Sequence, residues 1–392
     1  MNQGGRAVYV LGACRTPMGR FGGAFSGLTP AALGAAAAAP LVARLRDRAA
    51  VEEVIVGQVL QAGAGMNVAR QVALASGLPE AVPAYTVNKV CGSGMKAITL
   101  GASSIAGEEA DLVLVGGVEV MSRAPFLLGS EARAGWKMGD LTARDSMLCD
   151  GLTDPTHQLH MARTAEALAQ RMGITRAAQD AFALQSQRRW AQAQEAGAWA
   201  AELVPVSVKG GSVTEDETPR PATTAEALAG LRPAFTADGT ITAGNASALA
   251  DGAAALLLGS EKAVTRTGLA PLARVTAWAS VGVPPMDMGL GPVAALRQLF
   301  AATGTTPDDY DLFEINEAFA AQVLACRAEL PLPLDRLNLR GGSIALGHPL
   351  GCTGARLVVS LLHSLTAHRA ARGLASLCIG GGMGMALAAE MT

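Results

Sequence analysis

An α/β fold made of two similar halves is what this chain predicts. Apolar strand-like runs alternate with amphipathic helical stretches along its 392 residues, which predicts a largely parallel or mixed sheet. One strand-turn-helix-strand unit also occurs twice, once near each end of the chain. Composition bounds the class: half of the residues are hydrophobic and 16% are charged, as in a compact protein with a large core. At this length two or three domains are expected.

In chain order, Ala7 to Leu11 reads as a buried strand, and Thr29 to Leu45 as a helix with Thr29 as cap and Pro30 in its first position. Val54 to Leu60 reads as the next strand. After Cys91, the residues Met95, Ile98, Ala102 and Ile105 fall at steps of three, four and three, the stripe of a helix that buries one face. Asp111 to Gly117 is a short apolar run that ends in glycines, a central strand meeting a turn. The stretch from Met121 to Leu249 differs in character: it holds Trp136, Trp190 and Trp199, a helix from about Ala165 to Gln194, and a polar, proline-dotted segment from Gly210 to Pro233. It reads as an inserted subdomain, a usual place for a lid or a substrate surface. Pro271 to Val283 resumes strand character, and Leu312 to Ile315 leads into a helix. The second copy of the repeat then places Gly347-His348-Pro349-Leu350-Gly351 before a helix with Ala355, Val358, Leu362 and Leu365 on one face, followed by the strand Leu374 to Ile379 and three glycines.

Several function classes drop out on composition. The formal net charge of −2 gives no basic field for nucleic acid or anionic membrane. No uninterrupted apolar run reaches the roughly 18 to 20 residues of a membrane span. The polar start Met1-Asn2-Gln3-Gly4-Gly5-Arg6 lacks the layout of a signal peptide, so a cytoplasmic location is expected. The six cysteines show no CxxC pair and no metal-ligand spacing with histidine, which predicts free thiols and no metal site.

Four residues carry candidate chemistry. Cys91, in Val87-Asn88-Lys89-Val90-Cys91-Gly92-Ser93-Gly94, stands where a strand-like run breaks through glycines into a helix. First-turn N–H groups facing the sulfur would lower a thiol pKa from about 8.5 toward the range of about 3.5 to 7.5. His348 precedes a proline that keeps it out of helical geometry, so its imidazole projects from the turn and can take the Cys91 proton. Cys378 closes a strand just before Gly380-Gly381-Gly382, whose N–H groups can stabilise an oxyanion. A pKa of about 8 would suit it as a general acid and base. Asn316, in Asn316-Glu317-Ala318-Phe319-Ala320, stands at a strand-to-helix corner, where its amide can hold a water or carbonyl and can also cap the helix. His363 and His368 read as packing or surface groups.

Those motifs, with Gly341-Gly342-Ser343-Ile344-Ala345-Leu346 ahead of His348, resemble the thiolases, a family of acyl-CoA acetyltransferases, over nearly the whole chain. The resemblance implies a thiolase fold of five layers, α/β/α/β/α. Residues 1–121, completed by about 250–270, would form one half, 122–249 a loop domain and 271–392 the other half. It implies that Cys91 is the acylated nucleophile, that His348 activates it and that Cys378 moves the proton at the α-carbon. Asn316 would hold a water that forms one oxyanion hole with His348, and the N–H groups of Cys91 and Gly380 would form the other. Contacts to coenzyme A would fall to His160, Met161, Arg220, Phe235, Ser247 and Met288. Coenzyme A would be substrate and product, with no cofactor bound permanently, and acyl-CoA the small-molecule partner of a dimer or tetramer. Two positions depart from the family's usual wording, Arg340 before Gly341 and Ala162 after Met161, and both bear on pocket shape and coenzyme A contacts.

The expected activity is thiolytic cleavage of 3-ketoacyl-CoA or its reverse, Claisen condensation, through acyl-Cys91. A non-catalytic acyl-CoA or lipid-binding protein of the same fold would have lost a catalytic side chain, and all four are present. A ketosynthase would use two histidines, or a histidine and an asparagine, without the second cysteine.

Overall fold

The computed structural model describes residues 5–392; the polar start Met1 to Gly4 lies outside the described residues. Strand β1 (Val8–Arg15) is followed by β2 (Gly19–Arg20), helix α1 (Pro30–Ala43), β3 (Glu53–Gly57), α2 (Val68–Ala75), β4 (Ala84–Val87), α3 (Ser93–Ala106) and β5 (Leu112–Val120). A long excursion carries three hairpins: β6 (Phe126–Leu128) with β7 (Ala143–Asp145), β8 (Thr153–Asp154) with β9 (Leu159–His160), and later β10 (Val206–Val208) with β11 (Gly211–Val213). It also holds a π-helical turn, Met147–Leu152, and helices α4 (Met161–Arg171), α5 (Arg176–Glu195) and α6 (Ala225–Ala229). Next come β12 (Ala250–Gly259), α7 (Glu261–Thr267), β13 (Ala273–Gly282), α8 (Gly291–Thr303), β14 (Leu312–Ile315), α9 (Ala320–Glu329), α10 (Ser343–Leu346), α11 (Leu350–His368), β15 (Arg372–Ile379) and β16 (Met383–Met391).

The long strands form one mixed sheet in the order β14-β15-β16-β13-β1-β12-β5-β3-β4, with β2 paired to β12. Its two wings repeat one topology. From β1 outward the first wing runs antiparallel to β12, antiparallel to β5, then parallel to β3, and from β13 outward the second runs antiparallel to β16, antiparallel to β15, then parallel to β14. The repeat read in the sequence is therefore a structural one, and the wings meet where Val8, Tyr9 and Val10 pair with Val275, Arg274 and Ala273.

Five layers follow from which side chains each helix buries. Helices α1 and α2 cover the outer face of the first wing, α8 covers the outer face of the second, and α3 and α11 pack against each other between them. On α3 the stripe Met95, Ile98, Ala102 and Ile105 is fully buried, and so are Ala355, Val358, Leu362 and Leu365 on α11. Each large apolar side chain among them contributes about 1.5 to 3 kcal/mol by leaving water. Helix α11 is long and apolar enough to cross a membrane, but it lies in the core of the protein. The central helices meet along glycines: a Cβ at Gly94 would stand 2.7 Å from the Ala355 nitrogen, one at Gly354 2.4 Å from the Met95 nitrogen, and one at Gly117 2.1 Å from the Gly351 carbonyl oxygen. Only backbone fits there.

Three sequence expectations shift. Gly116 and Gly117 lie inside β5 rather than ending it, because Gly116 passes the Ala254 carbonyl and Gly117 passes α11 too closely for a side chain. The helix expected from about Ala165 to Gln194 is two helices, separated by Gly173 at φ +64° and restarted by Thr175, whose side chain caps α5. The strand expected to reach Leu60 ends at Gly57.

Candidate active site

The turns at the inner ends of both wings open on one cavity of about 340 Å³, lined by Cys91, His348, Cys378 and Gly380 together with His160, Met161, Phe235, Ser247 and Met288. Asn316 stands behind His348. Arg220 does not line the cavity; its side chain is exposed and its backbone N–H donates to Gln187. Two apolar clusters form the walls. Met121, Met147 and Leu350 pack on the Cys91 side, and Met161, Ala246, Met288, Ala318 and Phe319 surround Cys378.

The Cys91 turn is held by its neighbours. Asn88 Oδ1 accepts from the Val90 N–H at 2.9 Å, while Ser93 Oγ accepts from Lys89 N–H at 2.8 Å and donates to the Val90 carbonyl at 2.7 Å. They fix Val90 at φ +48°, a strained conformation for a β-branched residue and one typical of functional sites. At Gly92 a Cβ would lie 2.4 Å from Ile379 Cδ1, next to Cys378, so any side chain there would have to displace the Ile379 side chain.

The expected lowering of the Cys91 pKa is overturned. Burial pushes the thiol up to about 11, against the opposing N–H groups of Gly380 and Cys91 itself. The helix start gives little help, since the Gly92 and Ser93 N–H groups donate to the Lys89 and Val90 carbonyls at 3.0 Å instead of facing the sulfur. Cys378 is also raised, by burial and then by Cys91 and Cys326 nearby, and not held near 8. His348 is pushed down to about 3 by burial and by Arg356. The resting pair is therefore a neutral thiol and a neutral imidazole.

The hydrogen bonds assign the tautomer of that imidazole. The Asn316 amide nitrogen, 3.4 Å from His348 Nε2, can only donate there, so Nε2 keeps its lone pair and Nδ1 carries the proton. Nδ1 then donates to Thr353 Oγ1 at 2.6 Å, leaving the Thr353 hydroxyl for the Pro349 carbonyl at 2.9 Å. Asn316 does not cap a helix: α9 begins only at Ala320, and the Asn316 Oδ1 accepts from Ser343 Oγ at 2.6 Å. His160 caps α4 through Nδ1, which accepts from the Ala162 N–H at 3.1 Å, and its ring stacks on Phe235 at 4.8 Å. Its pKa is lowered by burial, so it offers a neutral Nε2–H.

Sequence reasoning missed Glu119. It is buried beside the site and accepts the N–H groups of Val59, Leu60 and Gly351 at 3.0, 3.1 and 2.9 Å. Burial raises it to about 7 despite these donors. Its signal was there to read as an acid in the otherwise apolar run Leu112 to Val120. Arg340 turns away from the cavity, so its departure from the family pattern does not touch the pocket; it binds Glu202 at 2.7 Å and lies over Trp199 at 4.4 Å. Among the described residues no cluster of His, Cys, Asp or Glu could hold a metal ion.

The fold and the relatives of this chain define one enzyme class, the acyltransferases. The family models Thiolase, N-terminal domain, and Thiolase, C-terminal domain, match residues 8–262 and 269–391, and the chain belongs to the thiolase family. It is 49% identical over 386 residues to the acetyl-CoA acetyltransferase of Escherichia coli (strain K12), covering 97% of this chain and 98% of that one. The crystal structure of human mitochondrial 3-ketoacyl-CoA thiolase superposes with a TM-score of 0.96 at 43% identity, over 99% of both chains. The same human enzyme in complex with CoA superposes with a TM-score of 0.96 at 42% identity, covering 99% of this chain and 98% of that one.

Proposed function

We propose that this thiolase transfers acyl groups between coenzyme A thioesters through acyl-Cys91, cleaving a 3-ketoacyl-CoA with coenzyme A or condensing two acyl-CoA molecules in reverse. The observation that carries this reading is the convergence of Cys91, His348 and Cys378 on one cavity, with Gly380 N–H directed at the Cys91 sulfur.

In the cleavage direction His348 Nε2 takes the Cys91 proton as the sulfur attacks the 3-keto carbon. The resulting oxyanion is held by donors on the two turns. The bond between the second and third carbons breaks, and its electron pair leaves as the enolate of acetyl-CoA, which Cys378 protonates. His348 then releases the proton taken from Cys91 to the medium, from which the Cys378 thiolate regains one; coenzyme A attacks the acyl-Cys91 thioester, giving its thiol proton to the neutral His348, which returns it to the departing Cys91 sulfur. With both partners neutral at rest, proton transfer accompanies attack and no preformed thiolate is needed. Coenzyme A is substrate and product, reaching the cavity past His160 and Phe235, with Met161, Ser247 and Met288 around its reactive end. Arg220, outside the cavity, is assigned to the more distal parts of coenzyme A on the resemblance alone. A dimer or tetramer in the cytoplasm is part of the same reading, supported by the exposed apolar side chains Phe126, Leu128 and Met138 on the excursion.

Purified protein is to be assayed with coenzyme A and 3-ketoacyl-CoA substrates of four to sixteen carbons, beside Cys91→Ala and Cys378→Ala. Cys91→Ala is expected to abolish the covalent acyl-enzyme, and a labelled adduct surviving in it would remove the nucleophile assignment. Cys378→Ala is expected to keep acetyl transfer to Cys91 and lose carbon-carbon bond formation, so equal loss of both half-reactions would overturn the division between the cysteines.

A further inference from the structure

Arg356 is fully buried on α11, the one charged side chain among that helix's buried residues. Its Nη2 donates to Ser343 Oγ at 2.6 Å, and Ser343 Oγ lies 2.6 Å from Asn316 Oδ1. Asn316 Nδ2 in turn lies 3.4 Å from His348 Nε2. A guanidinium has donors and no acceptor, so Ser343 must accept from it and spend its own proton on Asn316. Only the Asn316 oxygen can receive that proton, which turns the amide nitrogen toward His348 and the cavity. The polarity continues through His348, whose Nδ1–H runs to Thr353 and on to the Pro349 carbonyl.

We infer that Ser343 and Arg356 are positioning residues of the reaction: the one-way run of hydrogen bonds that starts at Arg356 fixes which end of the Asn316 amide, and which nitrogen of His348, faces the substrate. This rests on the roles proposed above for Asn316 and His348. Without the Ser343 hydroxyl the amide is free to turn its oxygen toward the cavity, where it would repel a developing oxyanion and compete for the proton on His348. Arg356 gives the run its direction because, unlike a hydroxyl or an amide, it cannot reverse.

The test is a mutant cycle on the purified enzyme, reading kcat and KM for thiolysis of acetoacetyl-CoA, the yield of acetylated Cys91 and the circular dichroism spectrum. Ser343→Ala is expected to lower kcat about tenfold with KM within twofold of the parent, and Ser343→Thr, which keeps the hydroxyl, to restore it. In an Asn316→Ala background, Ser343→Ala should cost less than twofold more, because the group it aims is gone. A tenfold loss in both backgrounds would overturn the inference, since Ser343 would then act by another route. Undiminished turnover in Ser343→Ala beside an impaired Asn316→Ala would overturn the inference and leave the proposed reaction standing. Undiminished turnover in Asn316→Ala would overturn both. If Ser343→Ala fails to fold, Ser343→Cys, with a weaker donor of similar size, carries the test with the same expected direction.

Discussion

Cys91, the proposed nucleophile, is kept protonated. Burial raises it to about 11, and its proposed base His348 is held down to about 3, so neither is charged at neutral pH. The thiolate fraction of a free thiol below its pKa rises tenfold with each pH unit. Alkylation of Cys91 by iodoacetamide, followed by mass spectrometry of its peptide, is therefore expected to accelerate about tenfold per unit from pH 7 to pH 9. A rate already level across that range would mean a preformed thiolate and would contradict the neutral pair. Cys91, Cys378, His348 and Asn316 were legible in the sequence because each stands at the end of an apolar run beside glycine or a polar break. Their protonation was not legible, because it depends on how completely the two wings close over them. Ser343, Thr353 and Arg356 were hidden for a related reason. Their partners lie on different elements, and the one trace of them in the sequence was a charged side chain in the apolar helix Leu350–His368.

The elements meet the site through their ends, and Glu119 shows how one end is tied to others. From the last turn of β5 it receives N–H groups of the segment after β3 and of Gly351 at the start of α11, joining the two halves beside Cys91 and His348. Glutamine would replace one accepting oxygen with an amide nitrogen and leave at least one buried N–H without a partner, at a cost of about 1 to 3 kcal/mol. Calorimetry of Glu119→Gln should record a lower Tm than the parent; an unchanged Tm would mean that the clamp contributes nothing. Strand and helix positions were mostly readable from periodicity, as the buried stripes of α3 and α11 illustrate. The break between α4 and α5 was not, since Gly173 is a weak signal within a continuous amphipathic pattern and only its positive φ makes it a stop.

For the molecule as a whole, the excursion is fastened to both wings by buried charge. Glu202 pairs with Arg15 of β1 and with Arg340 ahead of α10, while Arg15 also binds Asp216 at 2.6 Å. Against the cost of burial, Arg340 and Arg15 hold Glu202 down to about 2. Its carboxylate therefore stabilises the native state above the ordinary glutamate range, and that contribution is lost as pH falls from about 4.5 toward 2. Glu202→Gln leaves the two arginines short of an anion and is expected to cost about 3 to 5 kcal/mol in urea denaturation at pH 7, with a flatter loss of stability in acid than the parent. A change below about 1 kcal/mol would sink this account. The sequence showed the excursion by its composition but not its fastening, because the ion pairs join residues far apart in the chain. The glycine contacts between the central helices have a different consequence. Where α3 and α11 meet through backbone, their spacing does not depend on the size of any side chain, and the turns carrying Cys91 and His348 hang from those helices. Apolar core substitutions that conserve volume can be repacked while this spacing stays constant, whereas a single methyl group added at Gly94 or Gly354 would push apart the helices that carry the two turns.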